Sequence, residues 1–318
     1  MKRILSILLI MTMIFALSAC GGSTTMTMGT GSPTGTYFAY GGIVGQYITN
    51  KAGITVNAVS TGGSKDNIQG IDSGDYQLGT VQSDVMHYAW NGTRSFEEDG
   101  KIASFRTVAG LYAEAVQLVT VNPEIKSVSD LKDKKVSIGA PGSGVYFNAM
   151  DVLAAAGLTE KDIKPQYQNF DESADALKDG KIDAAFIVAG APTPAITELS
   201  MTNANVRIVP IDGDIADKLM KDNTFYSVYK IPAETYKNQA EEISTVTVKA
   251  TLIVSADASE DDVYNLTAAI FDNIDSITKE HAKGAELSLE NATDGLTVPF
   301  HAGAAKYFKE KGIEVEVK

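Results

Sequence analysis

The sequence predicts an α/β protein with two lobes, each a mostly parallel β-sheet flanked by helices, and a ligand cleft between the lobes. Strand-like and helix-like patterns alternate along the chain, which is typical of parallel sheets covered by helices. The 318 residues, 44% of them hydrophobic, exceed what one hydrophobic core usually holds. Turns rich in Gly, Ser and Thr, at 31–37, 61–64 and 141–144, each lie between a strand pattern and a helix pattern. Such turns at the carboxyl ends of strands predict a cleft there.

The N-terminal segment 1–19 has the pattern of a secretory signal peptide. Lys2 and Arg3 precede an apolar stretch that is too short for a comfortable membrane-spanning helix, and small residues follow it. The sequence Leu-Ser-Ala-Cys that ends at Cys20 also matches the bacterial pattern for lipid attachment to cysteine. We therefore predict that Cys20 is lipidated, that residues 20–25 form a tether, and that the protein is held on the outer face of the cytoplasmic membrane.

The first lobe is predicted to comprise residues 26–113 and 250–318. The alternating apolar and polar residues of 54–60 predict a strand, and the turn at Thr61 opens a helix pattern. The predicted elements, in chain order, are an extended segment (25–28), a helix (39–49), a strand (54–60), a helix (to about residue 71), a strand (77–81), a helix (84–90) and, near the C-terminus, a long helix (260–281).

The second lobe is predicted to comprise residues 114–249. Long apolar segments near Leu118 and Leu252 predict two crossings between the lobes. Gly157 stands where a helix would be capped, and Pro194 stands where one would begin. The predicted elements are strands at 115–121, 135–138, 182–188, 206–211 and 245–254, and helices at 128–131, 146–156, 173–178 and 194–199.

Composition excludes several classes of function. Cys20 is the single cysteine, so once it carries lipid neither an internal disulfide nor a thiolate zinc site can form. With 27 basic and 40 acidic residues, the net charge of −13 argues against nucleic acid or an anionic membrane surface as a partner, because both need basic patches. Gly29, Gly31 and Gly35 are spaced one residue off the dinucleotide pattern, and no phosphate-loop motif exists. We predict no cofactor and no metal.

Six motifs, in order along the chain, resemble the solute receptor of TAXI-type TRAP transporters. They are Met-Gly-Thr-Gly (28–31), Gly-Thr-Tyr (35–37), Val-Ser-Thr-Gly-Gly-Ser (59–64), Val-Gln-Ser-Asp (81–84), Val-Ser-Ile-Gly-Ala-Pro-Gly-Ser-Gly (136–144) and Asp-Ala-Ala-Phe-Ile-Val-Ala-Gly-Ala-Pro-Thr (183–193). The resemblance covers roughly the whole chain after the signal peptide. It implies a type II periplasmic-binding-protein fold that closes on a small organic acid, such as glutamate, a related amino acid or 2-oxoglutarate. It also implies a sodium-driven membrane permease as the partner.

The predicted ligand-binding residues lie in the turns and at strand ends. Hydroxyl groups beside the glycines of the 61–64 and 141–144 turns favour binding over ordinary turn chemistry. Gln82 and Ser83 end a strand, where a polar side chain needs a partner. From its spacing alone, Tyr37 could equally line the cleft or pack in the core, and the resemblance favours the cleft. Tyr112 either lines the cleft or lies beside the hinge between the lobes. The full set is Thr36, Tyr37, Gly62, Gly63, Ser64, Gln82, Ser83, Tyr112, Gly142, Ser143, Gly144, Gly190, Ala191 and Pro192.

We predict no catalytic residue. The histidines are His87, His281 and His301, and no two of them have the spacing of metal ligands. No Ser, Asp and His segments form a nucleophile elbow. Two alternatives stay open, namely an enzyme of the same two-lobed fold that acts on a small acidic metabolite, and a surface antigen without a transport role.

Arginine is scarce after the signal peptide, where only Arg94, Arg106 and Arg207 remain. None of them falls in a candidate binding turn, so a bidentate clamp for a carboxylate has no obvious source. The sequence therefore predicts that helix N-termini and hydroxyl groups hold the carboxylate. Whether Arg106, which precedes a strand, reaches the cleft stays open at this point, as do the ligand's identity, the permease and the oligomeric state.

Overall fold

A computed structural model describes residues 24–317; the predicted signal peptide and Cys20 lie outside these residues. The described chain forms ten strands. They are β1 (Thr25–Gly29), β2 (Thr55–Val59), β3 (Leu78–Gln82), β4 (Phe105–Thr120), β5 (Lys135–Ser137), β6 (Lys164–Gln166), β7 (Ala184–Ala189), β8 (Arg207–Val209), β9 (Ser227–Ile231) and β10 (Ile243–Ser255).

Helices follow most of the strands, as the alternating pattern predicts. The α-helices of the described chain are α1 (Thr36–Ala52), α2 (Ser64–Asp72), α3 (Ser83–Asn91), α4 (Val145–Ala155), α5 (Phe170–Lys178), α6 (Pro194–Thr202), α7 (Gly213–Asp222), α8 (Glu260–Phe271), α9 (Ile274–Glu280), α10 (Leu289–Thr293) and α11 (Ala302–Glu310). Among residues 24–317, no helix is long and apolar enough to span a lipid bilayer.

All ten strands are hydrogen-bonded in one continuous sheet with the order β2-β1-β3-β10-β4-β7-β5-β6, and β9 and β8 pair with β10 and β4. Strands β2, β1 and β3 run parallel, and so do β6, β5 and β7. Between these groups lie the long strands β10 and β4, which run antiparallel to each other. β10 is also antiparallel to β3, and β4 is also antiparallel to β7. Strands β4 and β10 therefore pass through both lobes. We call the part around β1, β2 and β3 the first lobe and the part around β5, β6 and β7 the second lobe.

Each lobe has its own hydrophobic core. In the first lobe the buried side chains of Tyr40, Leu252 and Phe308 belong to one cluster. In the second lobe, Leu118 and Phe186 belong to another. The two long apolar segments predicted to cross between the lobes are β4 and β10, and each contributes to both cores. This arrangement confirms the α/β fold class and places the carboxyl ends of the parallel strands of both lobes around a shared cleft.

Two predicted elements were wrong in extent. The helix predicted over 260–281 is interrupted, because Asn273 leaves the helical conformation and its side-chain amide donates to the Ala269 carbonyl. The strand predicted over 115–121 begins ten residues earlier, at Phe105, because Glu114 interrupts the apolar pattern without interrupting the strand. The sequence patterns also missed β6, β9, α7, α10 and α11.

Candidate functional site

The 31–37 turn brings the start of α1 against the second lobe. The hydroxyl of Thr36 donates to the Gly190 carbonyl at 2.8 Å. Ser32 donates to Asp171 at 3.0 Å, and the Thr34 hydroxyl also donates to Asp171. The first helix N-terminus of the site is therefore held at the cleft by contacts with the loop after β7 and with α5.

The 61–64 and 141–144 turns contact each other directly. The amides of Lys65 and Asp66, at the start of α2, donate to the Gly142 carbonyl at 3.0 and 3.3 Å. A Cβ atom on Gly63 would lie 3.6 Å from the Ser143 Cα atom. The sequence predicted that the N-terminal amides of α2 face a ligand, but the structure shows two of them bonded to a carbonyl of the opposite lobe. They help to hold the lobes together.

The two turn serines differ in what they offer a ligand. The Ser64 hydroxyl oxygen accepts from the Gln82 amide at 3.1 Å, so its proton is left for the neighbouring Tyr37 hydroxyl or for a ligand. The Ser143 hydroxyl donates to the Ala140 carbonyl at 2.7 Å, so its proton is engaged and its oxygen can only accept. Ser64 is thus the better partner for an anionic group.

A small cavity lies between the lobes at these turns. Eight of the predicted residues line it, and they come from both lobes. They are Thr36, Tyr37, Gly62, Gly63, Ser64, Gln82, Ser143 and Gly144. The side-chain oxygen of Gln82 is buried and has no hydrogen-bond partner among the described residues.

Three other predicted residues lie beside the cavity rather than on its wall. The Ser83 hydroxyl oxygen accepts from the Lys249 amide at 3.3 Å. Tyr112 is buried in the first core, edge-on to Tyr40 at a centroid distance of 5.1 Å. Gly142 contacts α2 through its carbonyl, as described above. Tyr112 therefore packs as a core aromatic near the crossing.

The Gly190, Ala191 and Pro192 loop also lies outside the cavity lining. The Gly190 carbonyl accepts from Thr36, and the peptide bond between Ala191 and Pro192 is cis. Ala191 is buried and Pro192 is exposed. This loop supports the start of α1, and the preceding residues Val188 and Ala189 line the cavity in its place.

Glu114, which was not predicted from the sequence, lines the cavity from the middle of β4. The side chain is only 2% exposed, and its Oε2 atom accepts from the Tyr37 hydroxyl at 2.5 Å. Burial, together with the charge of Asp84, raises the pKa of Glu114 to about 8, although the Tyr37 hydrogen bond and Lys283 act in the opposite direction. The signal that could have found it is a lone carboxylate inside a mostly apolar strand.

An apolar wall, also missed from the sequence, faces these polar groups. Val145, Phe170 and Val188 line the second-lobe side of the cavity. A Cβ atom on Gly35 would lie 3.2 Å from the Phe170 ring, so the glycine allows α1 to approach this wall closely. The cavity therefore combines a few polar groups with apolar walls, as small-molecule sites commonly do.

The arginines do not line the cavity. Arg94 forms an ion pair with Asp151 at 2.6 Å and so links the two lobes. The guanidinium of Arg106 lies over the Trp90 ring, 5.1 Å from its centroid, and Arg207 donates to the Ile125 carbonyl at 2.8 Å. Among the described residues, Glu114 is the one charged side chain on the cavity wall.

A second contact between the lobes lies near the cavity and contains Asp84 at the start of α3. The Asn148 side-chain amide donates to Asp84 Oδ2 at 3.2 Å and to the Tyr226 hydroxyl at 2.8 Å. Burial raises the pKa of Asp84 to about 7, and the negative charge of the nearby Asp151 contributes to this shift. Such a carboxyl is compatible with a closed interface when it is protonated, because a buried charge without a cation is costly.

The three histidines have local structural partners. The Nδ1 atom of His87 lies 2.9 Å from the Thr297 hydroxyl. The Nδ1 atoms of His281 and His301 accept hydrogen bonds from the backbone amides of Lys283 and Gly303, respectively, at the starts of the helical turns that follow. Burial lowers the pKa of each of these three rings. None of them lines the cavity.

Comparison with known proteins gives one family and many similar structures. A family model described as the NMT1-like family matches residues 28–312. The alkanesulfonate-binding protein SsuA from Xanthomonas axonopodis pv. citri bound to MOPS is 14% identical, with a TM-score of 0.52 over 92% of each chain.

Two phosphonate proteins are also similar. A binding protein component of an ABC phosphonate transporter from Pseudomonas aeruginosa is 12% identical, with a TM-score of 0.54 over 82% of this chain and 79% of that one. PhnD1 from Prochlorococcus marinus in complex with methylphosphonate is 13% identical, with a TM-score of 0.53 over 82% of this chain and 88% of that one. The likeness shows that the chain has the two-lobed α/β fold of periplasmic binding proteins.

Proposed function

The chain belongs to the NMT1-like family, and from this premise we propose that it is an extracytoplasmic solute-binding protein that captures a small organic acid. The candidate ligands are glutamate, a related amino acid and a 2-oxoglutarate-like acid. One observation carries the proposal: a single cavity is lined by the starts of α1, α2 and α4, which come from both lobes. Helix N-termini and hydroxyl groups of this kind favour an acidic group.

We also propose how the protein is anchored to the membrane and where the boundaries of its two lobes lie. Residues 1–19 are a signal peptide, Cys20 carries the lipid, and 20–25 form the tether. The lobe boundaries proposed from the sequence, at 113/114 and 249/250, fall inside β4 and β10. The two crossing strands would then act as the hinge about which the lobes open. The lipid would hold the protein on the outer face of the cytoplasmic membrane.

The proposed partner is a TRAP-type permease, which is supported by the order of the six motifs that resemble TAXI receptors. An ABC-type permease is the second candidate, because a solved structure of the same fold is named as a component of an ABC phosphonate transporter. Co-purification of the lipidated protein with its membrane subunits distinguishes the two: subunits that hydrolyse ATP would exclude the TRAP partner.

A catalytic role is not proposed. On the cavity wall, the described residues include no histidine and no lysine, and Ser64 and Ser143 are bonded to backbone groups rather than to a base. Turnover of a bound metabolite would instead favour an enzyme on this fold. Failure of any small molecule to bind would favour a surface antigen.

A thermal-shift screen of the soluble chain, beginning after Cys20, tests the proposed function. We expect an amino acid or a keto acid to raise the melting temperature. A ligand at 100 times its Kd stabilises the folded state by about 2.7 kcal/mol. Sugars and polyamines serve as controls. If no organic acid shifted melting at millimolar concentration, the proposed ligand class would be wrong.

Replacing Ser64 by alanine is expected to weaken ligand binding by about 1–3 kcal/mol, because a hydroxyl that can donate to the ligand is lost from the cavity. Ser143→Ala is the matched control and is expected to cost less, since its proton is already bonded to Ala140. Calorimetry with the ligand found in the screen measures both affinities. Equal losses in the two variants would contradict this assignment of roles.

A further inference from the structure

We propose that Glu114 and Tyr37 form a subsite for a primary ammonium group, so that the ligand is an α-amino acid rather than a keto acid or another acid without an amine. This inference rests on the proposed function and selects among its candidate ligands. It starts from the cavity wall, where Glu114 is the one charged side chain among the described residues.

The carboxyl of Glu114 has one oxygen engaged and one available. Oε2 accepts from the Tyr37 hydroxyl at 2.5 Å, and Oε1 accepts no hydrogen bond from any residue in the described range 24–317. The side chain is only 2% exposed and lines the cavity. A buried carboxylate needs a cation or several donors, and a ligand in the cavity is placed to supply them.

Among residues 24–317, no cation forms an ion pair with Glu114. The positive group that acts on Glu114 is the ammonium of Lys283. Lys283 is already paired with Glu286 at 2.6 Å and bonded to the Tyr229 hydroxyl at 3.0 Å. Since Lys283 is shared with Glu286, a negative charge on Glu114 is only partly compensated in the empty cavity.

The same cavity contains groups suited to the other end of an amino acid. Ser64 has a hydroxyl proton to donate, and Thr36 and Val145 open α1 and α4 at the cavity wall. The first amides of a helix have no partner within the helix. A zwitterion would place its carboxylate at these donors and its ammonium at Glu114. A keto acid offers no ammonium to the ionised carboxylate and could be accommodated only beside a protonated Glu114.

Ionisation of Glu114 should accompany binding. The groups that act on its charge are Tyr37, Asp84, Lys283 and Tyr112. Burial raises its pKa to about 8, so at pH 6.5 the empty site holds a proton on Glu114. An ammonium group favours the ionised carboxylate and therefore expels that proton. Affinity for an amino acid should rise from pH 6 toward pH 8, by up to about tenfold per pH unit.

The experiment compares L-glutamate, L-glutamine and 2-oxoglutarate by calorimetry on wild type and Glu114→Gln. We expect wild type to bind at least one amino acid and to bind 2-oxoglutarate at least about tenfold more weakly. Glu114→Gln keeps an acceptor for Tyr37 and should lower amino-acid affinity about 10- to 100-fold. It should leave 2-oxoglutarate affinity unchanged or higher.

Proton release gives a second readout. In buffers of different ionisation enthalpy at pH 6.5, wild type should release close to one proton per amino acid bound, and Glu114→Gln should release none. Glu280→Gln is the matched control, because Glu280 also accepts a tyrosine hydroxyl, that of Tyr47 at 2.6 Å, but lies at the surface. Melting without ligand checks that each variant is folded.

The failures are distinguishable. Tight binding of 2-oxoglutarate to wild type, or unchanged amino-acid affinity in Glu114→Gln, would overturn the ammonium subsite while the proposed binding function stands. Binding of none of the three acids would contradict the proposed ligand class itself, and the subsite with it.

Discussion

Replacing Gly144 by valine is expected to lower ligand affinity about 100-fold while both lobes stay folded. A Cβ atom at Gly144 would lie 1.9 Å from Gln82 Oε1 and 3.1 Å from Ser64 Oγ, and both of these residues belong to the first lobe. The backbone of Gly144, with φ −71° and ψ −21°, suits any residue. The added side chain would therefore act as a wedge between the lobes, at an overpacking cost of about 1–3 kcal/mol.

The measurement pairs calorimetry with small-angle X-ray scattering. Gly144→Val should show a larger radius of gyration in the presence of ligand than wild type, together with the lower affinity. Gly42→Val is the matched control, since a Cβ atom there meets nothing within 4 Å on the exposed side of α1. Wild-type affinity in Gly144→Val would show that Gln82 moves aside and that closure does not depend on this glycine.

Substitution of Cys20 by serine is expected to move the protein completely from the membrane fraction to the soluble fraction. Cys20 is the single cysteine and the predicted site of diacylation, and two acyl chains are enough for stable anchoring. The protein should melt and bind ligand as wild type does, because the proposed tether (20–25) overlaps β1 (Thr25–Gly29) only at Thr25.

Cell fractionation followed by immunoblotting tests the anchor. Ser18→Ala, which keeps a small residue in the same motif, serves as the control and should remain in the membrane fraction. Retention of Cys20→Ser in the membrane pellet would mean that a part of the chain other than Cys20 attaches it.

The sequence alone was sufficient where the signal is local. Glycines and hydroxyl residues mark the turns because few residue types suit such backbone and first-turn positions. Periodic apolar residues mark most strands and helices of both lobes. Local patterns failed at Glu114, which interrupts an apolar run inside β4, and at Asn273, whose side chain competes for a helical carbonyl. Short elements such as β6 and α10 carry too few residues for a periodic signal.

The sequence by itself determined the α/β class and the three turns and one strand end from which eight cavity residues come. Only the tertiary structure decided what those turns contact. The amides of Lys65 and Asp66 donate to Gly142 rather than standing free, and Tyr112 packs against Tyr40 in the core. The position of the charged group on the cavity wall was also known only from the tertiary structure, because the register of β4 against β10 places Glu114. Side-chain burial and partners across a cleft depend on segments far apart in the chain, which no local pattern encodes.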